Sequence, residues 1–482
     1  MNLLHLFSNS LLAKKNEVGL EFGSATFTFG VIETRSNQMA RLLKSKGFKT
    51  GDRLCVYLEN CVEFIDIFLA CAKLGVIFVP INILYREREV SHIYQDANPK
   101  GLIANGEVPG NFSFWKVSDL SKEASIQSGD SITIETTGDS IAAIVYTSGT
   151  TGASKGAMLT HNNFIANGIN LVTCWQIQER DRFLLALPLF HVHALANGLH
   201  AWLMTGCRMR LLERFEHQKA PLEFLSFLPT LFFGVPTMYI RLLDQPNDVA
   251  AKIGSSLRLF VCGSAPLPAQ VLTAFKEKYG HTILERYGMT ETLMNISNPY
   301  HGERKAGTVG LPLPGMSVKI TAENGTPAQV GKIGEVQVKG PNVFSGYWNR
   351  SDATEKAFEN GYFKTGDLGF VDAEGYYTLC GRKSDLIISG GFNIYPREIE
   401  EFLLEQEGVA EVAVVGVAHA VRGEVPVAYV VPSSNLDVKT LEHKCREHLA
   451  SFKVPKAFVV VEKLPRTALG KVQKHLLPAP QL

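Results

Sequence analysis

The sequence has almost no excess charge and no long basic run. Its 482 residues include 48 Lys and Arg against 47 Asp and Glu, a formal net charge of +1 at pH 7. Binding to a nucleic-acid backbone or an anionic membrane needs clustered cations, whereas short pairs such as Lys14–Lys15 are typical of solvated surface. We therefore expect no nucleic acid and no membrane among its partners.

Paired cysteines are also lacking. The eight cysteines are scattered, with no CxxC pair and no companion histidines at zinc-finger spacing. This pattern excludes a zinc finger of ordinary spacing and gives no sign of a disulfide framework. We interpret the cysteines as small buried apolar residues of a protein in a reducing compartment.

Long hydrophobic runs are absent as well. The most apolar stretch, Phe64–Val79, is interrupted by Asp66, Lys73 and Gly75, and it falls short of the roughly 20 residues that span a bilayer. The N-terminus has neither a basic start before its apolar segment nor a convincing cleavage site. We predict a cytoplasmic protein.

The pattern of apolar segments predicts an α/β protein with more than one domain, since 482 residues exceed the size at which a single core stops growing. Apolar runs alternate with stretches of helical period in the N-terminal part, which favours parallel-rich sheets covered by helices. The runs are Arg53–Leu58, Gly75–Ile81 and Ile141–Thr147, and the helical stretches are Asn37–Lys46 and Glu63–Leu74.

The pattern of apolar and polar residues changes after about residue 310. Short alternating segments between Gly and Asn turns, such as Ser317–Thr321 and Gly334–Lys339, indicate a β-rich subdomain. A pattern typical of an α+β domain follows, with a helix near Pro396–Gln406 and a strand near Val409–Val417. We predict a large N-terminal domain over 1–380, a hinge over 381–385 and a small C-terminal domain over 386–482.

The strongest chemical signal is a polar loop between residues 146 and 156, directly after a short apolar strand. Its glycines let the backbone approach a phosphate, its hydroxyls add donors and its lysine adds a cation. Gly156 stands where a P-loop NTPase has Ser or Thr, which disfavours that class. A flexible connector is the alternative interpretation. The predicted phosphate ligands are Thr147, Ser148, Gly149, Thr150, Thr151, Gly152 and Lys155.

This loop resembles that of the adenylate-forming superfamily, which comprises acyl-CoA synthetases, luciferases and adenylation domains, although Ser154 stands where the superfamily usually has Pro. The segment Glu285-Arg-Tyr-Gly-Met-Thr-Glu-Thr292 is similar to its second nucleotide motif. The resemblance implies that Thr290 contacts the α-phosphate, that Glu291 holds Mg²⁺ and that Tyr287 packs beside adenine. It also assigns ATP contacts to Gly263, Ser264, Ala265, Glu285 and Gly288, and a metal contact to Thr151.

Two further segments resemble the superfamily's ribose and catalytic elements. By this resemblance Asp367 accepts from the ribose hydroxyls and Arg382 adds a donor to the ribose or phosphate. Lys471, in Pro465-Arg-Thr-Ala-Leu-Gly-Lys471, matches the lysine that bridges the reacting carboxylate and the α-phosphate. An exposed lysine in a flexible domain is also a target for a lysine acetyltransferase, which would remove the charge that adenylation needs.

The segment from 381 to 400 resembles the superfamily's hinge and the hairpin beyond it, so the resemblance implies a mobile C-terminal domain that rotates between adenylation and thioester formation. Ser384 occupies the hinge position, where Asp or Lys is common. Ser389, Gly390 and Gly391 would line the tunnel for coenzyme A, because a glycine permits close passage of its pantetheine arm.

Three segments resemble malonyl-CoA synthetases more than long-chain or aryl ligases: 187–193, 233–241 and 285–286. A second carboxylate on the acid needs a buried cation, and Arg offers bidentate donors. The resemblance assigns the distal carboxylate to Arg241 and Arg286, and the reacting one to His191. Met294 and Ser264 would limit substitution at the α-carbon of the acid.

The expected activity is therefore an ATP-dependent acid–CoA ligase that uses Mg²⁺ and converts malonate, or a close acid such as methylmalonate, to its CoA thioester. The alternatives are a ligase for another short acid, a stand-alone enzyme that loads a carrier protein, and a nucleotide-binding pseudoenzyme. Glu291 and Lys471 disfavour the pseudoenzyme, because their loss is what such a protein would show.

Overall fold

The protein is described by a computed structural model that covers residues 2–147, 154–419, 421–433, 436–467 and 470–480. Short π-helical segments span Asn9–Ala13 and His193–Leu199, and 3₁₀ turns span Lys383–Asp385 and Lys474–Leu476. The α-helices in the described ranges are α1 (Leu3–Ser8), α2 (Phe29–Ser45), α3 (Val62–Leu74), α4 (Glu87–Ala97), α5 (Val117–Ser125), α6 (His161–Cys174), α7 (His200–Thr205), α8 (Ala220–Phe227), α9 (Pro236–Leu243), α10 (Asn247–Ser256), α11 (Ala269–Tyr279), α12 (Ser351–Ala357), α13 (Pro396–Leu404) and α14 (Val438–His448).

The strands, in chain order, are β1 (Val18–Phe22), β2 (Ala25–Thr28), β3 (Arg53–Tyr57), β4 (Ile77–Pro80), β5 (Gly101–Ala104), β6 (Trp115–Lys116), β7 (Ile141–Tyr146), β8 (Gly156–Thr160), β9 (Arg182–Leu185), β10 (Arg208–Leu211), β11 (Leu231–Gly234), β12 (Leu259–Cys262), β13 (Leu284–Met289), β14 (Leu293–Ser297), β15 (Leu311–Pro312), β16 (Ser317–Thr321), β17 (Gly334–Lys339), β18 (Phe358–Glu359), β19 (Tyr362–Val371), β20 (Tyr377–Arg382), β21 (Ile387–Ser389), β22 (Phe392–Ile394), β23 (Val409–His419), β24 (Gly423–Pro432) and β25 (Ala457–Val460).

Two parallel-rich sheets form the centre of the large domain. One has the order β6-β5-β3-β4-β7-β8, and the other has the order β15-β14-β13-β12-β11-β9-β10-β1-β2. Neighbours from β10 through β9, β11 and β12 to β13 pair in parallel, as do β3, β4 and β5. Strands β4 and β12 are buried along their whole length, as expected when helices cover both faces of a parallel sheet. The predicted α/β class is confirmed.

The apolar stretch that is too short and too charged to span a membrane forms most of the buried helix α3 and of strand β4. Asp66 of α3 accepts a charged hydrogen bond from Arg35 of α2 at 2.6 Å. Lys73 Nζ of α3 lies 2.6 Å from Glu33 Oε1, which also belongs to α2. Charges inside a core need such partners. Within the described ranges, no helix combines the length and apolar content that a bilayer span requires.

The β-rich subdomain and the C-terminal domain follow the predicted order. Strands β16-β17-β19-β18, with β20 beside β19, pair antiparallel throughout. A separate sheet, β22-β21-β24-β23 with β25 beside β24, packs against α13 and α14 in one apolar cluster. The segments predicted at Ser317–Thr321 and Gly334–Lys339 are strands with those bounds.

One predicted boundary differs from the structure. Helix α2 begins at Phe29, well before the predicted start at Asn37. The Thr28 hydroxyl caps its N-terminus, and the burial of Phe29 and Ile32 stabilises a first turn whose residues are poor helix formers. Strand β20 continues to Arg382, which pairs in register with Asp367. The chain therefore leaves the large domain through the 3₁₀ turn Lys383–Asp385, while the domain limits at 380 and 385 stay predictions.

Candidate active site

The phosphate-binding loop connects β7 to the antiparallel strand β8. At its two ends, the Thr147 amide donates to the Lys155 carbonyl at 3.0 Å, and this bond closes the loop where it leaves the sheet. The predicted ligands Ser148, Gly149, Thr150, Thr151 and Gly152 lie outside the described residues, and so does the predicted metal contact of Thr151. Their roles stay predictions.

Glu291 lies in the turn after β13, beside an aromatic residue that the sequence did not single out. The Tyr347 hydroxyl donates to Glu291 Oε1 at 3.0 Å, and Lys155 Nζ lies 5.1 Å from the centroid of the Tyr347 ring. Glu291 is 7% exposed, and this burial raises the pKa of its carboxyl group. The half-buried Thr290 precedes it.

A second carboxylate, Asp367 of β19, is held between two side chains. Arg382 Nε lies 2.8 Å from Asp367 Oδ1, and the Tyr287 hydroxyl donates to the other carboxylate oxygen. Burial raises the pKa of the Asp367 carboxyl group, while Arg382 opposes that rise. The structure thus brings together the residues predicted for ribose with Tyr287, which was predicted for adenine.

Lys471 reaches this cluster from the C-terminal domain. Burial, and then the charge of Arg382, lower the pKa of Lys471, while Asp367 and Asp385 oppose that change. Its loop contacts the large domain, because a side chain added at Gly470 would come within 3.0 Å of Thr237 Oγ1 on α9. Lys471 is partly covered in this structure, and its roles in adenylation and as an acetylation target stay predictions.

Arg286 of β13 is a buried cation without a counter-ion among the described residues. Its side chain is 4% exposed, and its Nε and Nη2 atoms have no hydrogen-bond partner there. Burial lowers the pKa of Arg286 to about 10. A side chain at Gly263 would collide with the guanidinium at 2.4 Å, so the glycine leaves room for the arginine at the end of β12.

The histidine that lies beside this cation is His193, whereas the sequence singled out His191. Ser264 Oγ lies 3.0 Å from His193 Nδ1, and His193 Nε2 is buried without a partner in the described ranges. Burial, and then Arg286, lower the pKa of His193 well below its usual value. Ser264 is held at φ +70°, a conformation that costs energy for a residue with a side chain.

His193 also begins the π-helical segment that ends at Leu199, and such segments are frequent at functional sites. His191 is partly buried, with its Nε2 unpartnered in the described structure, and burial lowers its pKa to about 4. Both rings are therefore neutral at pH 7, so each can donate from only one ring nitrogen. The sequence contained the His-Val-His pair but gave no reason to prefer its second member.

Arg241 does not share the buried position of Arg286. Its contact with the distal carboxylate stays a prediction, and in this structure it lies on the exposed side of α9, one turn after Thr237. The reason is that Tyr239 and Leu242 form the buried face of α9. Met294 of β14 is 1% exposed, as a wall residue of a pocket would be.

Glu285 and the predicted ATP contacts Gly263, Ser264 and Ala265 lie at the end of β12. Glu285 Oε1 accepts a hydrogen bond from the Leu267 amide at 3.2 Å, and burial raises the pKa of its carboxyl group to about 7. Gly288 is required in its hairpin, since an added Cβ would lie 1.9 Å from the Leu293 carbonyl. Ala265 is half-buried beside Ser264. Their predicted ATP contacts stay predictions.

The residues predicted for the coenzyme A tunnel lie in the hairpin between β21 and β22. Gly390 and Gly391 are exposed at φ +57° and +84°, while the buried Ser389 accepts from Arg422 Nε at 3.2 Å. Their tunnel role thus requires the predicted rotation of the domain. Ser384 is exposed in the connecting turn, where its hydroxyl donates to Asp385.

Two family models of known proteins match this chain. The model of the AMP-binding enzyme family matches residues 8–348, and that of the AMP-binding enzyme C-terminal domain matches residues 398–471. The chain belongs to the AMP-binding enzyme family. Its adenylate-forming fold, with a large domain and a small C-terminal domain, is the one predicted from the sequence.

Similar proteins carry several acid specificities. ATP-bound MatB from Rhodopseudomonas palustris is 37% identical with a TM-score of 0.93, over 99% of this chain and 98% of that one. O-succinylbenzoate coenzyme A synthetase from Bacillus subtilis, in complex with ATP and magnesium ion, is 33% identical with a TM-score of 0.88, over 99% of both chains. A malonate–CoA ligase of Arabidopsis thaliana is 34% identical over 92% of this chain and 80% of its own length.

Proposed function

We propose that this protein activates a small dicarboxylic acid, malonate or a close relative such as methylmalonate, as an acyl-adenylate and transfers the acyl group to coenzyme A. The general activity, an ATP-dependent, AMP-forming acid–CoA ligase, is that of its family and of the relatives described above. The identity of the acid is the finer part of the proposal. It depends on the chemistry of the pocket around Arg286.

The observation that supports a dicarboxylate is the buried, unpartnered guanidinium of Arg286. An isolated buried charge costs several kcal/mol unless an opposite charge meets it. Nε and Nη2, the two atoms without a partner among the described residues, lie on one edge of the guanidinium and can bind one carboxylate bidentately. A second carboxylate on the acid would supply the missing counter-ion.

The reacting end of the acid belongs on the other side of the pocket, near Lys471. In the first step a carboxylate oxygen attacks the α-phosphorus of ATP, and pyrophosphate leaves. Lys471 would stabilise the negative charge that accumulates between the carboxylate and the phosphate. Asp367, fixed by Tyr287 and Arg382, would hold the nucleotide by its ribose.

Glu291 fits a magnesium ion bound with ATP. Mg²⁺ usually takes one or two carboxylates and completes its octahedron with phosphate oxygens and water, and in the described ranges no group of three or more acidic, His or Cys side chains stands ready to hold a metal alone. When bound, the ion would neutralise phosphate charge. Glu291 would supply its protein ligand from the turn after β13.

In the second step the coenzyme A thiol attacks the acyl carbonyl, and AMP leaves. The exposed hairpin with Gly390 and Gly391 would then have to reach the site. The turn Lys383–Asp385 carries the chain from the large domain to the C-terminal domain, so its backbone dihedrals are where a rotation would occur.

The test is pyrophosphate release measured with a panel of acids, with and without coenzyme A. We expect kcat/KM to be higher for malonate and methylmalonate than for acetate. Arg286→Ala should lower kcat/KM for the dicarboxylates by at least about 100-fold, equivalent to about 3 kcal/mol, and so remove the preference. Arg241→Ala tests the other arginine assigned to the distal carboxylate, which is exposed in this structure. Unchanged selectivity in Arg286→Ala would refute the dicarboxylate proposal, and an equal loss of selectivity in Arg241→Ala would support a shared role of the two arginines.

A second candidate is a bulkier acid with a distal carboxylate, as in 2-succinylbenzoate, because a relative of similar identity carries that name. Such an acid also offers a counter-ion to Arg286. Including it in the panel separates the two, since preference for the aryl acid would reject malonate while keeping the role of the arginine.

A further inference from the structure

The segment 344–348 connects the two nucleotide motifs of the large domain. The Trp348 amide donates to the carbonyl of Gly156, at the start of β8, at 2.8 Å. The Phe344 amide donates to the carbonyl of Glu291 at 2.7 Å. The segment is therefore fixed both to the end of the phosphate loop and to the turn that carries the predicted metal ligand.

Tyr347 lies in the middle of this segment and contacts two opposite charges with different parts of one side chain. Its hydroxyl donates to Glu291 at 3.0 Å, and the face of its ring lies 5.1 Å from Lys155 Nζ. The ring packs edge-on against Phe344 at 4.8 Å, and the Thr354 hydroxyl accepts from the Tyr347 amide at 2.9 Å. The ring thus has little freedom to turn away.

The chemistry of the phenol suits this position. A phenol carries its proton at neutral pH, and the Tyr347 hydroxyl donates that proton to Glu291 in a hydrogen bond. A cation over an aromatic face is held by a modest attraction. Each charge therefore has a partner that a ligand can replace or supplement.

A direct ion pair between Lys155 and Glu291 would not have this property. Breaking a buried ion pair is strongly unfavourable, yet ATP would require the lysine for its phosphates and the carboxylate for Mg²⁺. In the described residues these two side chains form no such pair, and Tyr347 contacts both.

We propose that Tyr347 is a positioning residue that keeps Lys155 and Glu291 in place and apart, so that the triphosphate and its metal find both charges available. The inference rests on the nucleotide and magnesium site of the proposed function. Tyr347 lies outside the nucleotide motifs and is not among the predicted ligands.

Two substitutions separate the contributions of the hydroxyl and the ring. Tyr347→Phe removes the hydrogen bond to Glu291 and keeps the ring under Lys155, whereas Tyr347→Leu removes both. Tyr377→Phe is the matched control, because it deletes a half-buried hydroxyl that donates to the Val318 carbonyl at 2.8 Å. Calorimetric titration of the full chain with a non-hydrolysable α,β-methylene ATP analogue, with and without Mg²⁺, measures binding without catalysis.

We expect Tyr347→Phe to raise the Kd of Mg²⁺ at saturating analogue by about tenfold and to leave metal-free analogue binding within about twofold, since only a hydrogen bond to a charged group is lost. Tyr347→Leu is expected to weaken both by about tenfold, because Lys155 can then pair with Glu291. The Tyr377 control is expected to match the wild type in both titrations.

An unchanged Mg²⁺ affinity in Tyr347→Phe would overturn the proposal. A loss of metal-free binding in Tyr347→Phe as large as in Tyr347→Leu would also overturn it, since the hydroxyl would then support the pocket as a whole. If the wild type itself binds no Mg²⁺ with the analogue, the proposed function fails, and that result is distinct from either outcome for the variants.

Discussion

Replacing Arg286 by Met is expected to stabilise the protein while it abolishes the use of a dicarboxylate. Arg286 is 4% exposed, and Nε and Nη2 lack partners among the described residues. Methionine fills similar space and brings no charge into the core. Stability and activity should therefore change in opposite directions, which is unusual for a core substitution.

The magnitude follows from the shift in the pKa of Arg286. Burial lowers it from 12.5 to about 10, and at about 1.4 kcal/mol per pKa unit the charged form costs the fold about 3 kcal/mol. Because the pKa is lower in the folded state, the cost is fully present below about pH 10 and is relieved only at more alkaline pH. Imperfect packing of Met would reduce the gain to about 1–3 kcal/mol, or about 1–3 °C in Tm.

Scanning calorimetry with and without malonate is the assay. Malonate with ATP analogue should raise the Tm of the wild type, by ligand linkage, and should leave that of Arg286→Met unchanged. The control Arg241→Met changes an exposed side chain and should stay within about 0.5 kcal/mol of the wild type. A lower Tm for Arg286→Met together with retained malonate use would refute the reasoning, because it would mean that a protein group already neutralises the arginine.

Three further outcomes are expected, one beside Arg286 and two at Lys471. Ser264→Ala and Ser264→Gly both remove the hydroxyl beside His193 Nδ1, so the KM for malonate should rise about threefold to tenfold in each variant. The Gly variant should have a higher Tm than the Ala variant, because glycine adopts φ +70° without strain. A wild-type KM in both variants would exclude His193 from acid binding. Lys471→Ala should lose adenylation yet form the thioester from supplied malonyl-adenylate, and equal loss of both half-reactions would contradict the rotation. Because burial and Arg382 lower the pKa of Lys471, wild-type adenylation should fall with rising pH at a midpoint below that of free lysine, and Lys471→Arg should lack that limb.

The sequence alone determined the elements whose chemistry is local. Consecutive glycines and hydroxyls after an apolar strand predict a phosphate loop, and apolar runs of strand length predict buried parallel strands. Spacing of this kind also identified Glu291, Asp367 and Lys471 as candidates, since each lies within a short motif. The structure gathers Asp367 and Lys471 near Arg382 from different domains.

Only the tertiary structure decided among candidates that look alike in sequence. His193 and His191 are two residues apart in the sequence. What distinguishes His193 is its contact with Ser264, which lies 71 residues away along the chain. Tyr347 matters because it meets Glu291 across 56 residues. Arg241 and Arg286 both satisfied the expectation of a cation for the acid, yet one is exposed and the other buried. Burial and partnership arise from packing between distant segments, so no local pattern records them.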